Sequence, residues 1–271
     1  SERVQKGAFG ACLMAEPELV AQCVDAMRQA CDLEVTVKHR IGLDYNESEQ
    51  QVFDFVGKVS EAGCNTFVVH ARNAVLKGLS PKQNRDIPPL RYDVVKRLKA
   101  HFPHLQIILN GGIKTVEEIR DHLTWADGCM IGREAYNNPW ILTQFDNLIA
   151  EKLNSSLNTS PAYSTLNSQL ENIPACSGRT AKTPHTQTRA DVINNLRAYA
   201  EAELAAGTGL RNILQSWLGL YHGEPRSRLY RQVLSDSAKL KRNDWSLVEE
   251  ALDQLTGPAS DSTKAESISL G

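Results

Sequence analysis

The chain is short of the features that would assign it quickly. Aromatic residues make up 6% of 271 positions and the formal net charge is only -2, so global charge names no partner and nucleic-acid binding has to be argued locally. No apolar run approaches the roughly 20 residues a membrane helix needs. The opening SERVQKGAFG lacks the apolar core of a leader peptide, which sets a cytoplasmic expectation. Six cysteines, Cys12, Cys23, Cys31, Cys64, Cys129 and Cys176, form no CxxC pair and no cysteine–histidine spacing of a zinc site, so no metal is expected. Reduced and mostly buried thiols are expected instead, with Cys64 and Cys129 packed in or beside strands.

What the chain does have is one design used four times. VTVKHRIG at Val35–Gly42, TFVVHAR at Thr66–Arg72, IILNGG at Ile107–Gly112 and GCMIGR at Gly128–Arg133 are each a short apolar run ending in polar or glycine residues. Helical periods separate them: Glu18–Cys31 behind Pro17, Ser48–Ala62 with Gly63 as its cap, Tyr92–His101, and a helix from Thr115 to Leu123 with Thr115 and Glu118 spaced as a capping box. Strand–helix repeats of this kind spell a parallel α/β barrel, whose chemistry lies at the strand ends. Asn73–Leu90 is a long irregular segment after the second run, with Pro88-Pro89 stopping any helix across it; such loops commonly carry function.

Residues 1–153 therefore read as one α/β domain. Residues 154–188, rich in Ser, Thr, Asn, Gln and Pro, read as a low-complexity linker or insertion with no fold assigned. Helical periodicity returns in Val192–Ala206, Leu210–Tyr221, Arg226–Leu234 and Trp245–Leu255, a small all-helical domain over 189–256, and 257–271 read as a disordered tail. The helical stretch carries Arg189, Arg197, Arg211, Arg226, Arg228, Arg231, Lys239, Lys241 and Arg242, either a local basic patch or an ordinary solvated surface.

Candidate site residues sit at the run ends. Asn110-Gly111-Gly112 and Gly132-Arg133 offer backbone N–H groups without side chains in the way, and Arg133 adds a forked charged donor, which suits a phosphate between the last two strand ends. Lys38 and His70 end the first two strands and would face one cavity. Taken singly, a rim lysine can be a solvated charge and a histidine a hydrogen-bonded structural residue; their joint placement favours a ligand.

The runs RVQKGAFGACLM, VTVKHRIG, VVHAR with GLSPKQNRDIPPL, LNGGIKT, MIGREAYNNPW and WLGLYHGEP occur in order along nearly the whole chain, and they resemble the tRNA-dihydrouridine synthases, most closely the A-type branch. The resemblance implies FMN as cofactor, with Lys38 near the isoalloxazine, His70 contacting it, and Asn110, Gly111, Gly112, Gly132 and Arg133 around its phosphate end. It implies tRNA as partner, held by Lys82, Arg85 and the helical domain. The implied reaction reduces the uridine C5–C6 bond in tRNA, NADPH reducing the flavin and a cysteine protonating C5; a lysine at the N1–O2 edge would stabilise the charge of reduced flavin.

In the same comparison the proton-donating cysteine belongs to a Gly-Cys-Pro that would directly precede Ser1, so no catalytic residue is assigned in this chain. Four strands answer to the C-terminal half of a TIM (β/α)8 barrel, and the chain alone is expected to be an incomplete and inactive fragment. Asn212, Gln215 and Ser216 stand where the A-type proteins more often carry His, Arg and His, which leaves the modified uridine open. The alternatives are a noncatalytic tRNA-binding remnant and an unrelated phosphate-binding barrel enzyme such as an isomerase.

Overall fold

The computed structural model describes residues 9–46, 48–145, 148–149 and 188–256. Apart from Thr188, the expected insertion at 154–188 lies outside these residues, as do the tail at 257–271 and Cys176. Compact packing divides the chain into two units, 1–134 and 135–271.

The first unit is built on four parallel strands in chain order, β1 (Val37–Arg40), β2 (Thr66–His70), β3 (Gln106–Asn110) and β4 (Gly128–Met130). Helices α1 (Pro17–Ala30), α2 (Gln50–Glu61), α3 (Gln83–Asp86), α4 (Tyr92–His101) and α5 (Val116–His122) lie before and between them, and α6 (Arg133–Asn137) straddles the division. The pairing register explains which residues are hidden. Phe67, Val69, Ile107 and Leu109 alternate onto one face and are wholly buried, as are Val52, Val56 and Val59 of α2 and Val95 and Leu98 of α4. Each such aliphatic side chain contributes about 1.5–3 kcal/mol when fully removed from water. The opposite face carries Lys38, Val68, His70, Ile108 and Met130, all half-buried or exposed. Parallel sheets ordinarily have both faces covered, and this one has a single covered face among the described residues.

Local chemistry sets several boundaries. Thr115 accepts from the Glu118 amide at 3.1 Å, while the Glu118 carboxylate accepts from Lys114 and Thr115, so the expected capping box opens α5. Gly63 ends α2 with φ of 89°, the left-handed conformation a helix stop requires. Two expectations need correction. A one-turn helix, α3, does form inside the long loop, ahead of Pro88-Pro89. The thiols are not mostly buried: of the five described cysteines only Cys64 is, because Cys23 and Cys31 lie on the outer side of α1 and just past its end.

The second unit contains only helices among its described residues: α7 (Arg189–Asn195), α8 (Arg197–Ala205), α9 (Leu210–Leu214), α10 (Ser227–Ser235) and α11 (Ser246–Thr256), with short 3-10 turns at Pro139–Gln144 and Lys239–Arg242. Their apolar faces share one core around Tyr230, Leu210, Leu214, Leu247 and Ile193, with Trp217 and Trp245 edge to face at 6.0 Å. No described helix of either unit is long and apolar enough to cross a membrane.

Candidate functional site

The ends of the parallel strands form two transverse rows. Arg40, His70, Asn110 and Met130 are register partners and make the end row; Lys38, Val68, Ile108 and Gly128 make the row beneath it. Side chains of partnered residues in a parallel sheet project from the same face, so both rows look out of the uncovered side.

Lys38 does not end its strand, as the sequence suggested; β1 runs two residues further, to Arg40. The length of the lysine makes up the difference. Its Nζ crosses β2 and donates to Asn110 Oδ1 at 3.0 Å, and Asn110 Nδ2 donates to the Met130 carbonyl at 2.8 Å, tying three strand ends together. Partial burial, then the Arg40 charge, holds the Lys38 pKa below the usual lysine value. His70 does end β2. Burial first, then Arg40, Lys38, Arg72 and Arg133, push its pKa down to about 3, so it is neutral at physiological pH. Its Nδ1 is buried and has no hydrogen-bond partner among the described residues. Such an atom is costly to leave unpaired and is ready for a ligand.

The glycine turn follows directly. Gly111 and Gly112 have φ of 115° and 73°, conformations side chains rarely tolerate. A Cβ on Gly111 would stand 3.0 Å from His70 Cε1, and one on Gly112 would collide with Leu90. The Tyr92 hydroxyl donates to the Gly111 carbonyl at 2.7 Å and fixes the turn. Around Gly132, by contrast, a Cβ would meet nothing within 4 Å. Arg133 pairs with Asp86 at 2.5 Å and donates to the Arg85 carbonyl at 3.4 Å, which joins the end of β4 to the long loop. The amides just ahead of α5 are taken by the Glu118 carboxylate, so they are not open to an anion.

Lys82 and Arg85 are exposed on or beside α3 in the loop. Two arginines that the sequence reading passed over hold this loop. Arg40 donates to the carbonyls of Asn73 and Asn84 at 3.3 and 3.2 Å, and Arg72 to those of Asp86, at 3.4 Å, and Pro88. Their spacing was the available signal: Arg40 is two residues past Lys38 and so shares its face, and Arg72 is two past His70.

The basic candidates of the helical unit fare differently. Arg189 pairs with Glu224, Arg197 with Glu201 and Glu249, and both Lys239 and Arg242 with Glu250. Arg211, Arg228, Arg231 and Lys241 are exposed, as are Asn212, Gln215 and Ser216.

A parallel α/β sheet with a basic, glycine-turned rim at its carboxyl strand ends defines an α/β protein, the class in which ligands commonly bind at that edge. The chain belongs to the dihydrouridine synthase (Dus) family, whose model matches residues 1–256. It is 45% identical over 257 residues to a tRNA-dihydrouridine(20/20a) synthase of Pseudomonas syringae pv. tomato, covering 95% of this chain and 68% of the relative. A relative of the same name from Pseudomonas aeruginosa is 44% identical over 95% of this chain and 68% of its own length. One from Synechocystis is 43% identical over 93% of this chain and 66% of its own length. The chain thus spans about two thirds of the length of these relatives.

Proposed function

We propose that this chain supplies the C-terminal half of the (β/α)8 barrel and the helical tRNA-binding part of an enzyme that reduces uridine to 5,6-dihydrouridine in tRNA. The observation that carries the reading is the convergence of Lys38, His70, Asn110 and the Gly111-Gly112 turn on the uncovered face of the strand ends. In a closed barrel that face is the interior, and the outer edge of β1 adjoins a cleft of about 420 Å³ where a further strand would pair.

FMN fits the residues present. The Nδ1 of His70, without a partner among the described residues, offers one hydrogen bond, the space a Cβ would fill at Gly132 is open to a ligand, and Arg133 beside it suits a phosphate. When bound, the flavin supplies a hydride, replenished from NADPH, to the C5–C6 bond of the base. Lys38, fixed by Asn110, places a positive charge at the cofactor edge. His70, neutral at working pH, orients the ligand and does not act as a cationic acid. Lys82 and Arg85 hold phosphates of the tRNA, whose target base leaves its stack to enter the site. The chain's own residues assign no proton donor for C5.

The reading is tested with a chimera that joins this chain to the N-terminal segment of the Pseudomonas syringae relative. The chimera is expected to purify with bound flavin and to bind FMN more tightly than riboflavin, with Arg133→Ala removing the difference. Equal binding of the two flavins would overturn the phosphate assignment. Salt-sensitive tRNA binding by a folded chimera that takes up no flavin would favour the noncatalytic remnant.

A further inference from the structure

We propose that Tyr45 is a stacking platform for an unpaired nucleobase of tRNA, a role that rests on the tRNA reading above and goes beyond the phosphate contacts it contains. Tyr45 follows β1 on the strand-end side of the sheet, and 74% of its surface is open to water. Among the described residues its hydroxyl takes no hydrogen bond, and no ring contact holds it there.

The backbone that presents the ring is nevertheless held on both sides. Asn73 Nδ2 donates to the carbonyls of Asp44 at 3.1 Å and Asn46 at 2.7 Å, the residues flanking Tyr45. The Asp44 amide donates to the Ala74 carbonyl at 2.8 Å, the Ala74 amide to the Gly42 carbonyl at 2.9 Å, and a Leu43–Ala74 bridge continues the β1–β2 pairing past the strands. Asp44 adopts φ of 51°, which turns the chain outward, and its carboxylate accepts from the Leu76 amide at 2.8 Å. A ring on a fastened loop loses little freedom when it is covered, so most of a stacking contact survives as affinity.

Its surroundings select the partner. The segment fastened to this loop continues to Lys77, Lys82 and Arg85, all exposed. Among the described residues the carboxylates flanking Tyr45 in sequence are committed, Asp44 to Leu76 and Glu49 to Arg91 and Arg97. An exposed aromatic on a loop fastened to a segment of exposed basic residues matches the pattern that binds single-stranded nucleic acid, the charges tracking the backbone and the ring taking a base face. The flanks of a uridine drawn out of its stack present such bases.

The experiment measures tRNA binding by the full chain across a salt series for the wild type and for Tyr45→Ala, Tyr45→Phe and Lys82→Ala. The expected result is an affinity loss of about 5- to 150-fold for Tyr45→Ala at every salt concentration, with an unchanged salt slope, and wild-type binding for Tyr45→Phe. Lys82→Ala should lower the slope by about 1. Wild-type affinity in Tyr45→Ala alongside weakened Lys82→Ala would overturn the platform and leave the tRNA reading standing. A Tyr45→Phe loss equal to that of Tyr45→Ala would assign the contact to the hydroxyl and refute stacking. No binding by the wild type at low salt would remove both. Tyr45 is 74% exposed and takes no hydrogen bond among the described residues, so these outcomes are not confused with misfolding.

Discussion

Acid should unfold the first unit through a residue that never meets a ligand, His39. Its side chain faces away from the Lys38 row, 6% exposed, against Phe55 at 5.1 Å and Phe67 at 5.8 Å between ring centroids. Nδ1–H donates to the Arg40 carbonyl at 2.7 Å, and Nε2 is buried with no partner among the described residues. Protonation would put a charge and an unmet donor among aromatic rings. Burial first, opposed by the Arg40 hydrogen bond and aided by the Lys38 charge, therefore holds the pKa at about 4, against 6.5 for a free histidine. Because the folded value is depressed, the unfolded chain takes up the proton first. The stability is whole above pH 6.5 and is lost as pH falls from 6.5 towards 4. At about 1.4 kcal/mol per unit, lowering the pH from 6.5 to 5 should cost roughly 2 kcal/mol, an upper figure for one residue. Urea denaturation midpoints at the two pH values measure it. His39→Gln should be less stable than the wild type at pH 7 but should lose less on acidification. His70, whose pKa is also depressed, contributes to the same acid limb, so His70→Gln run alongside separates the two. An acid dependence in His39→Gln identical to the wild type would refute the argument.

Other perturbations follow from single contacts. Thr115→Ala removes the side-chain half of the α5 capping box and should cost about 1 kcal/mol by chemical denaturation, with Thr115→Ser close to the wild type. Gly219→Ala would drive a Cβ into the Asn137 carbonyl and should destabilise the second unit by about 1–3 kcal/mol, read as loss of the Trp217–Trp245 near-ultraviolet signal. Asp86→Asn removes the carboxylate that occupies Arg133 and should tighten binding of pyrophosphate to the rim, measured by calorimetry in low salt; weaker binding would mean that Asp86 positions Arg133 rather than competing for it.

Residue type and spacing made much of the α/β unit legible. Tyr92–His101 was readable to the residue because its apolar period and flanking breaks agree, and the Thr115–Glu118 spacing announced its own cap. β1 was misplaced by two residues because Val35 continues the apolar pattern, whereas pairing to β2 begins at Val37. That slip mattered for the site, since it hid the fact that Lys38 reaches the end row only by spanning β2 to Asn110. Spacing alone could place Arg40 and Arg72 near the strand ends but not give their partners, since each holds backbone carbonyls far along the chain, which no local pattern records. α3 has no apolar periodicity and depends on those tethers. In the second unit the continuous period over Val192–Ala206 breaks at Leu196 into α7 and α8, and α9 stops at Leu214, seven residues short of the expected Tyr221. Charge counts also misled there, since at least four of the nine basic residues noted are held by acidic partners.

The most direct test of the central claim is to quantify dihydrouridine by mass spectrometry in unmodified tRNA incubated with NADPH and the folded chimera, beside its Lys38→Ala variant. Dihydrouridine formed by the chimera and sharply reduced in the variant is the predicted result. A chimera that binds both flavin and tRNA yet leaves every uridine unreduced would contradict the account.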